Sequence, residues 1–199
     1  MMRSAYALTR HFSGAIATAT AISLLFIASS SHAAKLKGFA WTCQEKQELC
    51  YWHKPIVDPP KGWSEDESWT TRYKAMVMFP NGDKSRNKPV MYVRAHAGDA
   101  GQSIENYIST AQERWKKKLP DSTIEALPDL QRTGKPTIKV FLYKNPSQAD
   151  QAFELTAFMK DTDEANPKQH YFFQVVLSSP NRPQLDKAKS AFYDVLTRL

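Results

Sequence analysis

Between Ser122 and Ser179 the chain passes through four β-rich stretches, "STIEALPDL", "PTIKVFLYK", "AFELTAFMK" and "HYFFQVVLSS". They are joined only by "QRTGK", "NPSQADQ" and "DTDEANPKQ". A parallel pair needs a crossover of about a dozen residues or more, so links this short and polar predict neighbouring antiparallel strands. Upstream, "RYKAMVMF" alternates polar and apolar residues and predicts a strand ended by Pro80-Asn81-Gly82-Asp83, and "PVMYVRAHA" predicts another. Ser103 is placed to cap a helix running to about Lys118, with Ile104, Tyr107, Ile108, Ala111 and Trp115 on one face and Pro120 stopping it. "RPQLDKAKSAFYDVLTRL" predicts a closing helix, with Pro183 in its first turn and a stripe of Leu185, Ala188, Phe192, Val195, Leu196 and Leu199. The fold class read from this order is α+β, a mainly antiparallel sheet with helices packed on it.

The first residues carry a different signal. "MMRSAYALTRHFSG" has Arg3 and Arg10 and no acid, an apolar run "AIATATAISLLFIASS" follows, and Ser31-His32-Ala33 gives a small-x-small exit. That is the pattern of a secretory signal peptide over residues 1–33, cut between Ala33 and Ala34. The apolar run is shorter than the ~20 residues needed to span a bilayer, and no later segment is apolar enough. The expected product is periplasmic or secreted, without a transmembrane segment. Loss of Arg3 and Arg10 takes the formal charge from +7 to +5. Such a mild balance lacks the dense positive face of a nucleic-acid binder.

Cys43 and Cys50 lie in "FAWTCQEKQELCYW", between aromatic flanks. In an oxidising compartment this spacing reads as a disulfide closing a short hairpin over residues 34–55, worth ~2–3 kcal/mol by loop entropy. A C-x-x-C redox centre has a different spacing, and no second Cys/His pair completes zinc ligation, although His53 is near.

The opening "PPKGW", the mid-chain "TGKPTIKVFLYK" and the closing amphipathic helix resemble the PsbP-like superfamily, which includes extrinsic photosystem proteins, a Ran-binding import factor and periplasmic DcrB. The resemblance covers roughly Ile56 to Leu199, and the cysteine hairpin before Pro55 is outside it. It implies an α-β-α sandwich over residues 56–199 and a binding or accessory role, with Trp63 as a core anchor at the start of the domain. It supplies no catalytic or ligand residue.

Motifs of known chemistry are sparse. There is no G-x-S-x-G and no H-E-x-x-H, and His53, His96 and His170 stand apart in sequence. The acids of "SEDES", Glu65, Asp66 and Glu67, read as an exposed turn or strand edge. "DTDEAN" has Asn166 and Phe172 where a calcium loop of the EF-hand type needs Gly and Glu, so it reads as a hairpin turn. No catalytic residue, metal or cofactor is assigned.

Two surface features remain as candidates. Gly98, Gly101 and Ser103 form a strand-to-helix turn of the kind that can bind an anion, without the lysine of a P-loop. Lys116, Lys117 and Lys118 are the densest basic run; they suit the last turn of a helix and are candidates to meet an acidic partner. The function expected is an exported, non-enzymatic binding or accessory protein of the bacterial cell envelope, engaging another protein or an envelope component. An envelope hydrolase assembled from distant residues and a periplasmic inhibitor or immunity protein are the alternatives.

Overall fold

The computed structural model describes residues 35–42, 49–81, 83–85, 87–99, 101–163 and 165–199. The leader with its cut at Ala33 and Ala34 lies outside the described residues, as does Cys43. Among the described residues no helix is long and apolar enough to cross a membrane.

Nine strands and three helices are described, in the order β1 (Leu36–Thr42), β2 (Leu49–Pro55), β3 (Trp63–Glu65), α1 (Glu67–Tyr73), β4 (Met76–Pro80), β5 (Val90–Gly98), α2 (Ile104–Lys118), β6 (Thr123–Leu130), β7 (Ile138–Lys144), β8 (Phe153–Asp163), β9 (Asn166–Ser179) and α3 (Arg182–Arg198). All described pairings are antiparallel and belong to one sheet, ordered β1-β2-β5-β9-β8-β7-β6. The four strands read in succession thus pair as the short links require. Strand β5 has β9 along one edge. Its other edge is divided: β4 pairs with Met91–Val93, and β2 joins at His53↔Ala95.

The flanks of the cysteine segment pair from Leu36↔Pro55 to Thr42↔Leu49. Through β2 this hairpin is continuous with the main sheet. Cys50 lies opposite Trp41 in that register. Its expected partner is outside the described residues, so the closing bridge stays a proposal.

Side-chain alternation sorts the strands into two faces. Leu155, Ala157 and Met159 of β8 and Phe173, Val175 and Leu177 of β9 enter the core cluster that holds Leu185, Phe192, Val195 and Leu196 of α3. On the opposite face Phe158 and Phe172 meet Tyr107 of α2, whose ring stacks on Phe172 at 4.4 Å and 4°. Helices therefore cover both faces. The cap expected for α2 is present, Ser103 Oγ accepting from Asn106 N at 3.1 Å, and α3 starts on a cap of its own, Asn181 Oδ1 accepting from Gln184 N at 3.0 Å.

One segment differs from the reading. The strand expected from Arg72 begins at Met76, and the residues before it form α1. Asp66 is the N-cap, its carboxylate accepting from Trp69 N at 2.9 Å, and Lys74 ends the helix in the left-handed region at φ 51°. The three acids therefore divide between the edge strand β3, which holds Glu65, and the start of α1, where Asp66 is the cap and Glu67 is exposed. Glu65, half-buried on β3, accepts from Thr70 Oγ1 at 2.9 Å and pairs with Lys54 at 2.5 Å. Asp66 also pairs with Lys84, and hydrogen bonds from Lys84, Ser68 and the Trp69 amide hold its carboxyl well below the usual range.

Candidate functional site

The residues singled out from sequence do not converge. Neighbours along a helix point about 100° apart, and the three lysines diverge accordingly. Lys116 Nζ donates to the carbonyl of Ser122, Lys117 faces solvent, and Lys118 turns toward the sheet. At the other end of α2, the Ser103 hydroxyl is engaged by Asn106 N, while Gly101 has open space around its Cα. Gly98 is accounted for by a close approach: a Cβ there would lie 2.2 Å from the Phe172 ring. Of these three, only Gly98 lines the shallow 310 Å³ hollow between the ends of β5 and β9.

The histidines are likewise separate. His53 lies edge-on to Tyr171, with Nε2 3.4 Å from the phenol oxygen. His96 is tilted against Tyr107, its pKa lowered by burial and by Arg94 and Arg114. His170 lines the hollow beside Gly98. Among the described residues no group of three or more His, Cys, Asp or Glu could hold a metal ion.

A site that the sequence reading did not single out lies on the α1–α2 face. The two helices cover different parts of the sheet and leave between them a cavity of about 390 Å³. One wall is Trp69 of α1, stacked on Tyr73 at 5.2 Å and set edge-on to Phe79 at 5.3 Å. The facing wall is Trp115 of α2, edge-on to Tyr143 at 5.6 Å. Its indole Nε1 donates to Asn145 Oδ1 at 3.2 Å, and Asn145 Nδ2 donates to the carbonyl of Gln151 at 3.0 Å. Asn145 is fully buried, so this chain of bonds ties the indole to the turn before β8.

The floor carries the charges. Tyr92 and Arg94 are two apart on β5 and share its cavity-facing side, with the guanidinium 4.8 Å from the Tyr92 ring centre. Arg94 Nε is buried without a hydrogen-bond partner. At the far end is Glu154, the first polar position of β8, lying between Tyr143 and Ser178 in register and only 2% exposed. Burial pushes its carboxyl up to about 7, against the opposing influence of Ser178, Arg94 and Lys118. Burial raises the Tyr92 phenol well above its ordinary value and Tyr143 to about 12, and in both the Glu154 charge acts in the same direction.

A larger cavity, about 490 Å³, opens between Trp63 and the start of α3. Its charged residues, Asp83, Lys88 and Lys187, are all exposed. Ligand sites combine apolar walls with a few convergent polar groups, and perturbed titration marks functional clefts. On both counts the α1–α2 cavity is the stronger candidate. No family model matches the chain, and no curated protein matches it in sequence.

The sequence holds a trace of this site. Glu154 in "AFELTAF" and Arg94 in "MYVRAHA" are charges inside otherwise apolar strand stretches. Alternation puts them on the face away from α3, but only the position of α1 shows that a cavity stands over them.

Proposed function

We propose that this chain is an exported, non-enzymatic binding or accessory protein of the cell envelope, with the α1–α2 cavity as its binding site. The carrying observation is that cavity itself: aromatic walls held by their own contacts, over a floor where Arg94 Nε is buried without a hydrogen-bond partner and the Glu154 carboxyl is 2% exposed. These are groups that hold and orient a ligand.

Supporting elements come from elsewhere in the chain. The basic-apolar-small leader supports export. Helices on both faces of an antiparallel sheet accord with the PsbP-like resemblance and its binding or accessory role. A Cys43–Cys50 bridge fits the hairpin, since Cys43 follows the last paired residue, Thr42, and Cys50 follows Leu49 on the returning strand.

The test is an envelope extract passed over the mature chain and over a Trp69→Ala/Trp115→Ala variant of unchanged circular dichroism. A component retained by the first and lost by the second is expected. Equal retention by both would remove the cavity from the function, and turnover of an ester, glycoside or phosphate substrate by the mature chain would replace binding with hydrolysis.

A further inference from the structure

We infer that the α1–α2 cavity takes a small organic anion with a flat apolar body, its acidic group held by Arg94 and its ring between Trp69 and Trp115. This rests on the cavity being the binding site and adds the chemical class of the ligand. The first argument is charge. Two cationic side chains, Arg94 on the floor and Lys118 at the α2 side, face the cavity, against one carboxyl, Glu154. A cationic ligand would find the aromatic rings attractive but would be repelled by both. Moreover, Tyr92 already has Arg94 over its ring.

The second argument is hydrogen bonding. Guanidinium groups recognise carboxylates and related anions through paired N–H donors in a fixed plane. The Tyr92 ring holds that plane in place, and the buried Nε is a donor without an acceptor. Nε itself has no exposed surface, so an incoming carboxylate would pair with the part of the guanidinium that lines the cavity. The third argument is shape. The rims are flat indole and phenol rings, and a volume of about 390 Å³ suits a ligand of one or two fused rings.

Glu154 then sets the pH range of binding. The groups facing it are Tyr92 and Arg94 from β5, Tyr143 from β7, Ser178 from β9 and Lys118 from α2. When neutral, its carboxyl can donate a hydrogen bond to the anion; when ionised, it repels it. Its midpoint of about 7 places the change near neutrality. Affinity for the anion should fall about tenfold between pH 6 and pH 8, the ratio of neutral carboxyl at those two values.

The experiment uses the mature full chain and three probes sharing one ring system: naphthoate, the neutral naphthylmethanol and the cationic naphthylmethylamine, each titrated by calorimetry. Naphthoate is expected to bind tightest. Arg94→Gln should weaken it by roughly tenfold or more, as loss of a charge-assisted pair does, and Glu154→Gln should abolish the pH dependence while keeping binding. Lys118→Gln, at an exposed helix end, provides a variant whose folding is not at risk and should weaken naphthoate but not naphthylmethanol. Equal binding of naphthoate and naphthylmethanol would overturn the anion assignment and leave the cavity as a site. Binding of none of the three would overturn this inference, while the fate of the proposed function would still be read from retention of an envelope component by the wild-type chain and the double tryptophan variant.

Discussion

Glu154 and Leu155 are neighbours on β8, and their side chains leave opposite faces of the sheet into opposite kinds of interior. Leu155 joins a dry core, in which α3 lays Leu185, Phe192, Val195 and Leu196 along the apolar side chains of β8 and β9. Glu154 enters the cavity between α1 and α2, with arginine, lysine and tyrosine around it. One long helix closes the first face. Two helices at different ends of the second leave a gap, and the polar residues of the strands gather under it. Because side chains alternate with period two, a single set of strands can assign stability to one face and recognition to the other.

The largest effect should separate the faces by energy. Phe192 is completely buried against the sheet, and Phe192→Ala should destabilise the protein by about 3–5 kcal/mol, seen as a lower midpoint of urea denaturation. Tyr73, on the cavity rim, is 50% exposed, and Tyr73→Ala should shift stability by only ~0.5 kcal/mol. Similar losses for both would break the division between a stabilising face and a binding face.

The next effect has the opposite sign. Glu154 has a folded pKa raised from 4.5 to about 7. Its neutral form is the one the fold accommodates. Its contribution is fully present below the unfolded value of 4.5, and declines as pH rises through about 7. The decline amounts to roughly 3 kcal/mol, from the size of that shift. Glu154→Gln removes this loss, so the variant should be the more stable protein at pH 8, with the gap closing toward pH 5. Denaturation midpoints of both proteins across that range provide the check, and parallel pH profiles would show that the carboxyl is not held in the cavity as described.

The same contrast explains which parts were legible in the sequence. The α3 face was legible because its signals agree: a seventeen-residue helix with proline in its first turn and a regular stripe, over strands joined by short links. The cavity face needed α1, a seven-residue helix too short to show a period and contiguous with the strand pattern of "AMVMF". Asp66 three residues before Trp69 was its available start signal, but among three acids it could equally be a turn. Without α1, Tyr92, Arg94 and Glu154 are polar or aromatic positions on a face whose cover is unknown. The lysine run was legible as a helix end; all three lysines are exposed there, with Lys116 reaching the Ser122 carbonyl and Lys118 also lining the cavity.

A smaller effect tests how rigidly α2 is held over its face. Gly98 ends β5 opposite His170, and a Cβ there would lie 2.2 Å and 2.7 Å from two atoms of the Phe172 ring. Phe172 is buried and stacked on Tyr107, which anchors the first turns of α2. Gly98→Ala must therefore displace the ring from its stack or lift the end of β5 from β9. Its φ is not in the left-handed region, so the cost is steric, about 1–3 kcal/mol as for other overpacked sites. Gly101→Ala meets no atom within 4 Å and should be nearly neutral. Urea denaturation of the two variants reads the difference. The cavity lies at the opposite end of α2, beside Trp115 and Lys118, so naphthoate binding by folded Gly98→Ala should stay within about twofold of wild type, since sites this far apart with no shared partner behave independently. Gly98→Ala as stable as wild type would mean that the Phe172 ring yields freely and that the start of α2 is not held rigidly over its face.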